Sequence, residues 1–378
     1  MIYTATCKMG LESVVARELE ELGIAVVRKE DARVIFEGSY LDMARACLWL
    51  RCAERVLMII AEFRAVTFEE LFENVRHTEL SPYFKRDSFI HVTGKSAKST
   101  LFSVSDCQSI VKKAVVENLK SAFKTSVLPE TGNRVILEVG ILRDNVTLAL
   151  DACGAGLSRR GYRIHNYDAP IAESLGAGVL RLSHFKPDMP LLDPMCGSGT
   201  MPIEAAMMAQ NMAVGLGRSF AAEKWHFIPS DTFTRAREEA CDLKRNAEKL
   251  LIFGSDIDER AIALSKQHAK LAGVNLNWCV APVSELDVSE FPKGILVCNP
   301  PYGERMFKKD ETEKLYREMR RVFDKMPSGW SKNIITAYPE FERVYGKRAD
   351  KRRNLSNGGK KCTLYTYLFE KTPAKRGE

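Results

Sequence analysis

A short apolar strand runs into a glycine-bearing loop at Leu191-Leu192-Asp193-Pro194-Met195-Cys196-Gly197-Ser198-Gly199-Thr200, and a helical pattern follows over residues 201–213. Later in the sequence, further apolar strands alternate with helical patterns. Strands are predicted at 251–254, 295–298 and 334–337, and helices at 259–272 and 311–323. This alternation predicts an α/β fold with a parallel, doubly wound sheet. Because ligands of such sheets bind outside the carboxyl ends of the strands, the loop is the first candidate binding site.

The loop differs from phosphate-binding loops, which also follow strands. It contains neither Gly-Lys-Ser/Thr nor Gly-x-Gly-x-x-Gly, and the carboxylate of Asp193 would repel a phosphate. Asp193 instead suits a ligand that presents cationic or hydroxyl donors. Gly197 and Gly199 would let the backbone approach that ligand, because glycine carries no Cβ. The competing interpretation is a tight strand–helix turn that needs glycine for its own geometry.

A second acid lies at the tip of the next predicted strand, in Gly254-Ser255-Asp256-Ile257-Asp258. An acid at this place can bind both hydroxyls of a ribose, and we assign that role to Asp256. Asp258 could instead cap the helix that begins near Glu259. Asp256 follows Asp193 by 63 residues, where about 20 would be usual after a glycine loop, so residues 214–245 are predicted to be an insertion.

The third motif is Asn299-Pro300-Pro301-Tyr302, directly after a predicted strand. Two consecutive prolines fix φ and remove two N–H donors, so carbonyl oxygens and the Asn299 side chain become fixed acceptors. An exocyclic amine is a two-proton donor that needs such acceptors, and Tyr302 offers a flat face for base stacking. A rigid surface turn would explain this motif alone, but not its place downstream of a glycine loop and a ribose-binding acid.

The composition excludes several classes of protein. With 45% hydrophobic and 28% charged residues over 378 positions, the chain is typical of a soluble globular protein rather than a disordered one. No apolar run approaches the roughly 18 residues of a membrane span, and the first residues show no secretory signal. The ten cysteines contain no Cys-x-x-Cys pair, so we expect reduced thiols, a cytoplasmic location and no metal site.

Before the α/β region, residues 1–165 divide into two α+β units. In the first unit, the sequence pattern predicts helices at 11–22 and 40–52 and strands at 32–36 and 56–63. In the second unit, the sequence predicts a strand at 89–94, an amphipathic helix at 105–123, and a hairpin of strands 135–139 and 146–150.

The net charge of +7 is weak evidence for a polyanionic partner, but residues 343–361 alone hold eight basic groups and one acid.

In their order, residues 193–200, Asp256 and residues 299–302 resemble the motifs of class I S-adenosylmethionine-dependent amino-methyltransferases. The N-terminal half resembles a ferredoxin-like domain followed by a THUMP domain, on residues 92–96, 105–108 and 151–163 (DACGAGLSRRGYR). His165 and residues 169–173 are similar to the segment that enters the catalytic domain. The resemblance is to THUMP-containing RNA guanine-N2 methyltransferases, close to the bacterial enzyme acting on 23S rRNA. It implies a ferredoxin-like domain over 1–64, a THUMP domain over 65–165 and a Rossmann-like methyltransferase domain over 166–378.

The resemblance also implies roles for individual residues. S-adenosyl-L-methionine would be the cofactor, with Asp256 on its ribose and Ile257 against its adenine. Its methionine part would lie among Asp193, Pro194, Cys196, Gly197, Gly199 and Thr200. The family often has an acid at the adenine where this chain has Ala281-Pro282-Val283-Ser284, so the backbone or Ser284 would make that contact. The catalytic loop would be Asn299, Pro300, Pro301 and Tyr302, without a metal.

RNA would be the partner, bound by the N-terminal half and by two basic patches. The predicted RNA contacts are Lys95, Lys98, Arg159, Arg160, Arg163, Arg305, Lys347, Arg348, Lys351, Arg352 and Arg353. The alternatives are an interdomain linker at 159–163 and a solvated hairpin near the end of the chain.

Three functions stay open. The first is guanine-N2 methylation of RNA, with 23S rRNA ahead of tRNA. The second is adenine-N6 methylation of DNA or RNA, because Asn-Pro-Pro-Tyr serves both exocyclic amines. The third is a non-catalytic RNA-binding assembly factor. Cys298 could also suggest a nucleophile for pyrimidine C5 chemistry, although a cysteine at a strand end is more often simple packing.

Overall fold

The computed structural model describes residues 1–163, 170–245, 249–302 and 309–369, and two seven-stranded sheets organise them. The first sheet and its helices take up the N-terminal half. Their bounds are β1 (Ile2–Cys7), α1 (Glu12–Glu21), β2 (Ala25–Glu30), β3 (Arg33–Glu37), α2 (Tyr40–Trp49), β4 (Ala53–Arg64), α3 (Phe68–His77), β5 (Phe89–Ala97), α4 (Val104–Ala122), β6 (Arg134–Leu142) and β7 (Asn145–Asp151).

Strand β4 joins the two N-terminal units into one sheet, whose order is β2-β3-β1-β4-β7-β6-β5. The first part of β4 pairs antiparallel with β1, and the part from Leu57 to Arg64 pairs antiparallel with β7. The expected boundary after residue 64 therefore coincides with the end of a strand that both units share. Two units on one continuous sheet form a stiff platform, because they have hydrogen bonds in common rather than a flexible linker.

The second half holds the remaining elements. They are α5 (Glu173–Leu182), β8 (Leu191–Asp193), α6 (Thr200–Ala209), α7 (Thr232–Asp242), β9 (Ile252–Asp256), α8 (Glu259–Leu271), β10 (Asn277–Val280), β11 (Lys293–Cys298), α9 (Lys309–Phe323), β12 (Gly329–Thr336), α10 (Phe341–Tyr345), β13 (Lys351–Asn357) and β14 (Lys360–Tyr367). No helix in the described ranges is long and apolar enough to cross a membrane.

The second sheet has the order β10-β9-β8-β11-β12-β14-β13, which confirms the predicted α/β fold. The first five of these strands are parallel, and β14 is antiparallel to both of its neighbours. The strand order reverses at β8, which has β9 on one side and β11 on the other. Ligands bind at such a switch point, and all three sequence motifs follow these three strands.

The predicted insertion between the glycine loop and Asp256 braces the two halves of the molecule. Its helix α7 packs on α2, where Arg45 forms an ion pair with Glu239 at 2.7 Å. Nearby, the Ala222 N–H donates to the carbonyl of Ala152 at 3.0 Å. The long spacing between Asp193 and Asp256 therefore serves contact with the N-terminal half.

Candidate active site

A cavity of about 700 Å³ opens at the carboxyl ends of β8, β9 and β11. Eleven residues predicted from the sequence line it: Asp193, Pro194, Cys196, Gly197, Thr200, Asp256, Ile257, Asn299, Pro300, Pro301 and Tyr302. Three motifs that are far apart in the sequence thus share one cavity, because parallel strands bring their carboxyl ends to the same edge.

The glycine loop is held from two sides. The Cys196 N–H donates to the carbonyl of Ser255 at 2.9 Å, which ties the loop to β9. From α8, the Ser265 hydroxyl donates to the Gly197 carbonyl at 2.8 Å, and His268 Nδ1 lies 3.1 Å from the Ser198 carbonyl oxygen. A loop fixed in this way presents a preformed surface to a ligand, so binding costs less ordering of the chain.

Asp193 is a buried carboxylate without a cationic side chain beside it. It is 1% exposed, and it accepts one hydrogen bond from the Met195 N–H at 3.2 Å. Burial raises the pKa of Asp193 well above its usual range, and the nearby charge of Asp256 raises it further. Within the described residues no lysine, arginine or histidine pairs with it. An ammonium group on a ligand would supply the missing charge.

Asp256 combines a structural contact with a free face. One carboxylate oxygen accepts from the Gly197 N–H at 2.9 Å, and the other accepts from the Asp258 N–H at 3.0 Å. Each oxygen has a second lone pair, so the carboxylate can still accept from two ribose hydroxyls. Beside it, Ile257 is 71% exposed and lines the cavity, which offers an apolar surface to an adenine ring.

Two of the assigned cofactor contacts need correction. Gly199 does not line the cavity: a Cβ there would lie 2.8 Å from the ring of Trp278, and φ is +80° at the N-cap of α6. Gly199 is therefore needed for the turn and its packing, as the competing interpretation held. Ser284 is exposed and lies outside the lining, whereas Pro282 and Val283 line the cavity and provide an apolar wall instead. Asp258 caps α8 through the Arg260 N–H at 2.9 Å, but it also lines the cavity.

The catalytic loop is anchored by a residue that sequence reasoning missed. Tyr316 on α9 donates to the Pro301 carbonyl at 2.9 Å, and its oxygen lies 3.1 Å from Thr336 Oγ1. Burial raises the pKa of Tyr316, so its hydroxyl remains a donor.

Burial also raises the pKa of the Cys298 thiol, and the charge of Asp193 raises it further. A protonated, fully buried thiol is a poor nucleophile, which argues against pyrimidine C5 chemistry at this site.

The cavity has further walls that were not predicted. Helix α9 contributes Glu311, Lys314, Leu315 and Glu318, and the turn between β13 and β14 contributes Asn357, Gly358 and Lys360. The remaining lining residues are Pro170, Ile171, Met195, Ser198 and Met201. The helical spacing of the α9 residues was the available signal, but it gains meaning only once the helix is known to flank the catalytic loop.

The arginines of segment 159–163 do not form the predicted RNA-binding patch. The Arg160 side chain is 1% exposed and pairs with buried Glu204 at 3.2 Å, and it also donates to the Leu157 carbonyl at 2.5 Å. Arg163 is 13% exposed and donates to Thr200 Oγ1 at 2.6 Å and to the Ile171 carbonyl at 2.9 Å. Both arginines are structural, because their guanidinium groups are largely buried and bind protein acceptors. Of the three, only Arg159 is exposed.

The other predicted RNA contacts divide into two groups. Lys98, Lys347, Arg348 and Lys351 are exposed, as an RNA contact requires. Lys95 is exposed but pairs with Glu138 at 3.2 Å. Arg352 is also exposed but pairs with Glu342 at 2.7 Å, and Arg353 donates to the carbonyl of Gly10 at 2.9 Å. Arg305 lies outside the described residues.

Three known domains match the chain in the order that the sequence predicted. Residues 3–57 match the RlmL ferredoxin-like domain, residues 65–151 match the THUMP domain, and residues 160–366 match the RMKL-like methyltransferase domain. The last match alone covers more than half of the chain.

Similar proteins and solved structures agree with these domain matches. The chain is 40% identical to YpsC of Bacillus subtilis, named for RNA methyltransferase activity, over 98% of this chain and 97% of that protein. It is 31% identical to the ribosomal RNA large subunit methyltransferase K/L of Photobacterium profundum, over 100% of this chain but 54% of that longer protein. The methyltransferase SMU.472, solved in complex with SAH, superposes with a TM-score of 0.90 at 37% identity, over 98% of each chain.

Proposed function

The chain belongs to the RMKL-like methyltransferase family with a THUMP domain, and from that premise we propose that it methylates the N2 amine of a guanosine in RNA. The observation that carries the proposal is that Asn299–Pro300–Pro301–Tyr302 lies on the same cavity as Asp193 and Asp256. A cofactor end and an amine-binding end would therefore share one cavity. We propose 23S rRNA as the substrate, because relatives named for the large ribosomal subunit match over the whole chain.

S-adenosyl-L-methionine, the cofactor of this family, supplies an electrophilic methyl group on a sulfonium. The residues present fit it. Asp193 would meet its ammonium group, since this buried carboxylate otherwise has no cationic partner among the described residues. Asp256 would accept from its ribose hydroxyls, and its adenine would lie between Ile257 and the apolar wall of Pro282 and Val283.

The chain's part in methyl transfer is to hold the amine. The lone pair of the guanine 2-amino group is conjugated with the ring, which makes it a weak nucleophile. Asn299 Oδ1 and the Pro300 carbonyl would accept its two hydrogens, so that the nitrogen rehybridises and its lone pair points at the methyl carbon. Tyr302 would stack on a base that has left its helix, as base-modifying enzymes require. Proximity supplies much of the remaining rate acceleration.

RNA is proposed as the partner on two grounds. A THUMP domain matches residues 65–151, and Lys95 and Lys98 within it are exposed. Exposed basic groups also lie at Arg348 and Lys351, at the start of the β13–β14 hairpin. Adenine-N6 methylation is the second candidate, because the Asn-Pro-Pro-Tyr loop presents the same acceptors to either exocyclic amine.

The test is transfer of labelled methyl from S-adenosylmethionine to total RNA from a strain that lacks the gene. The RNA is separated by size, digested to nucleosides and analysed by mass. Label in N2-methylguanosine from the large rRNA is the expected result, and label from tRNA would change the substrate but not the reaction. Label in N6-methyladenosine would replace guanine by adenine as the target. Cofactor binding without label in any RNA would contradict the proposal.

A further inference from the structure

Helix α9 has two faces with different environments. Thr312, Tyr316, Met319 and Phe323 are buried in the protein core. Glu311, Lys314, Leu315 and Glu318 line the cavity, at the i, i+3, i+4 and i+7 spacing of a single helical face. The helix therefore forms a wall between the protein core and the substrate end of the cavity.

The position of this wall relative to the catalytic loop is fixed. Tyr316 donates to the Pro301 carbonyl at 2.9 Å, and the Tyr338 hydroxyl donates to Glu313 at 3.0 Å. Lys314 and Glu318 lie on a different face of the helix from the buried Tyr316, and they line the cavity that Asn299 also lines. A base whose amine meets the catalytic loop would share this cavity with their side chains.

Two charges on the cavity face, Lys314 and Glu318, differ from several paired charges elsewhere on the helix. Glu313 pairs with Arg317 at 2.7 Å, and Arg320 pairs with Asp324. Lys314 and Glu318 are one turn apart, yet they form no ion pair with each other or with another side chain of the described residues. An open cation and an open anion that face a cavity can act as a donor and an acceptor for a ligand.

We propose that Lys314 and Glu318 read the Watson–Crick edge of guanine, an inference that rests on the proposed function. Beside its 2-amino group, guanine presents the N1–H donor and then the O6 acceptor. Glu318 accepts from N1–H, and Lys314 donates to O6. Adenine presents the opposite pattern, an N1 acceptor and an N6 donor, so its N1 lone pair would face the Glu318 carboxylate. A site built to pair with such groups discriminates strongly against a base that leaves them unpaired.

The test uses short RNAs that span the nucleotide labelled by the wild-type enzyme, with guanosine or adenosine at that position. Glu318→Gln should lower kcat/KM on the guanosine RNA roughly tenfold or more, since one good base contact is typically worth a factor of about 5 to 150. Because the amide can also donate to adenine N1, the preference for guanosine over adenosine should fall with it. Lys314→Met should lower kcat/KM on the guanosine RNA in the same direction.

The matched control is Asp310→Asn, since Asp310 is an exposed carboxylate on the same helix that does not line the cavity. It should leave both rates unchanged. The dissociation constant of S-adenosylmethionine should be the same in all variants, which verifies that they are folded. An unchanged base preference in Glu318→Gln, while the wild type makes N2-methylguanosine, would overturn this inference alone. Wild-type label in adenosine or in no RNA would overturn the proposed function, and this inference with it.

Discussion

The cavity and the junction between the two halves both bury ionisable side chains, and they satisfy them in opposite ways. At the junction, Arg160 pairs with Glu204 at 3.2 Å, and the Tyr162 hydroxyl donates to the same carboxylate at 3.3 Å. At the cavity, Asp193 is equally buried but has only the Met195 N–H as a partner among the described residues. A buried charge with an oppositely charged partner belongs to the architecture. A buried charge without a counter-ion is maintained for a ligand.

The largest effect is expected on the cavity side of this comparison, at the catalytic loop. Asn299→Ala removes an acceptor for the reacting amine, and we expect kcat to fall about 10³-fold, at the upper end of what one positioned polar group contributes. Cofactor affinity should remain, because Asp193 and Asp256 are untouched. Single-turnover methyl transfer and calorimetric titration of the cofactor measure the two quantities. Residual turnover with lost cofactor binding would assign Asn299 to the cofactor end instead.

The junction should respond through stability. Arg160→Ala leaves Glu204 buried and unpaired, so the free energy of unfolding should fall by about 3–5 kcal/mol. Urea denaturation measures this loss, and Arg159→Ala is the matched control, since Arg159 is exposed and adjacent. Replacing both Arg160 and Glu204 with leucine should recover much of the loss. Unchanged stability with a weaker salt dependence of RNA binding would return Arg160 to the predicted RNA patch.

Removing the charge of Asp193 should stabilise the chain, whereas removing that of Arg160 destabilises it. The pKa of Asp193 is raised in the folded chain. A raised carboxyl pKa means that folding disfavours the ionised form, and this cost is felt as pH rises through the folded pKa. Without cofactor, Asp193→Asn should therefore be more stable than the wild type at neutral pH, and the difference should shrink as pH falls. Saturating S-adenosylmethionine should raise the melting temperature of the wild type more than that of the variant. Thermal unfolding between pH 4 and pH 8 checks both statements.

The same contrast explains how much the sequence could predict. Three site residues lie at the ends of strands: Asp193, Asp256 and Asn299. Because the topology brings these strand ends together, the sequence pattern was enough to predict that the three residues share one site. Burial of Arg160 depends on which surface of another helix covers it, and basic composition carries no such information. A signal did exist in α6, where Glu204 is the only charged residue of TMPIEAAMMA and therefore needed a buried partner.

Other errors have the same origin. Gly199 was assigned to the ligand because glycine permits close approach, but the approaching group is the ring of Trp278. Strand β2 was missed because it is an edge strand whose residues are mostly exposed, so it lacks a buried apolar pattern. The α9 wall was recognised as a helix but not as part of the site, since the cavity exists only after folding. Local pattern thus predicts elements and strand-end motifs, whereas contacts between distant faces require the structure.

The smallest expected effect separates paired from unpaired charge on the hairpin near the end of the chain. Arg348 and Lys351 are exposed, whereas Arg352 pairs with Glu342 and Arg353 donates to the N-terminal half. If the first two contact phosphates, neutralising both should reduce the slope of log affinity against log salt by about 2, since each contact contributes roughly one unit. Neutralising Arg352 and Arg353 should reduce it less, because protein acceptors already engage them. Filter binding to the methylated RNA across a salt series gives both slopes. Equal losses from the two pairs would mean that exposure, rather than the presence of a protein partner, decides which arginines and lysines bind RNA.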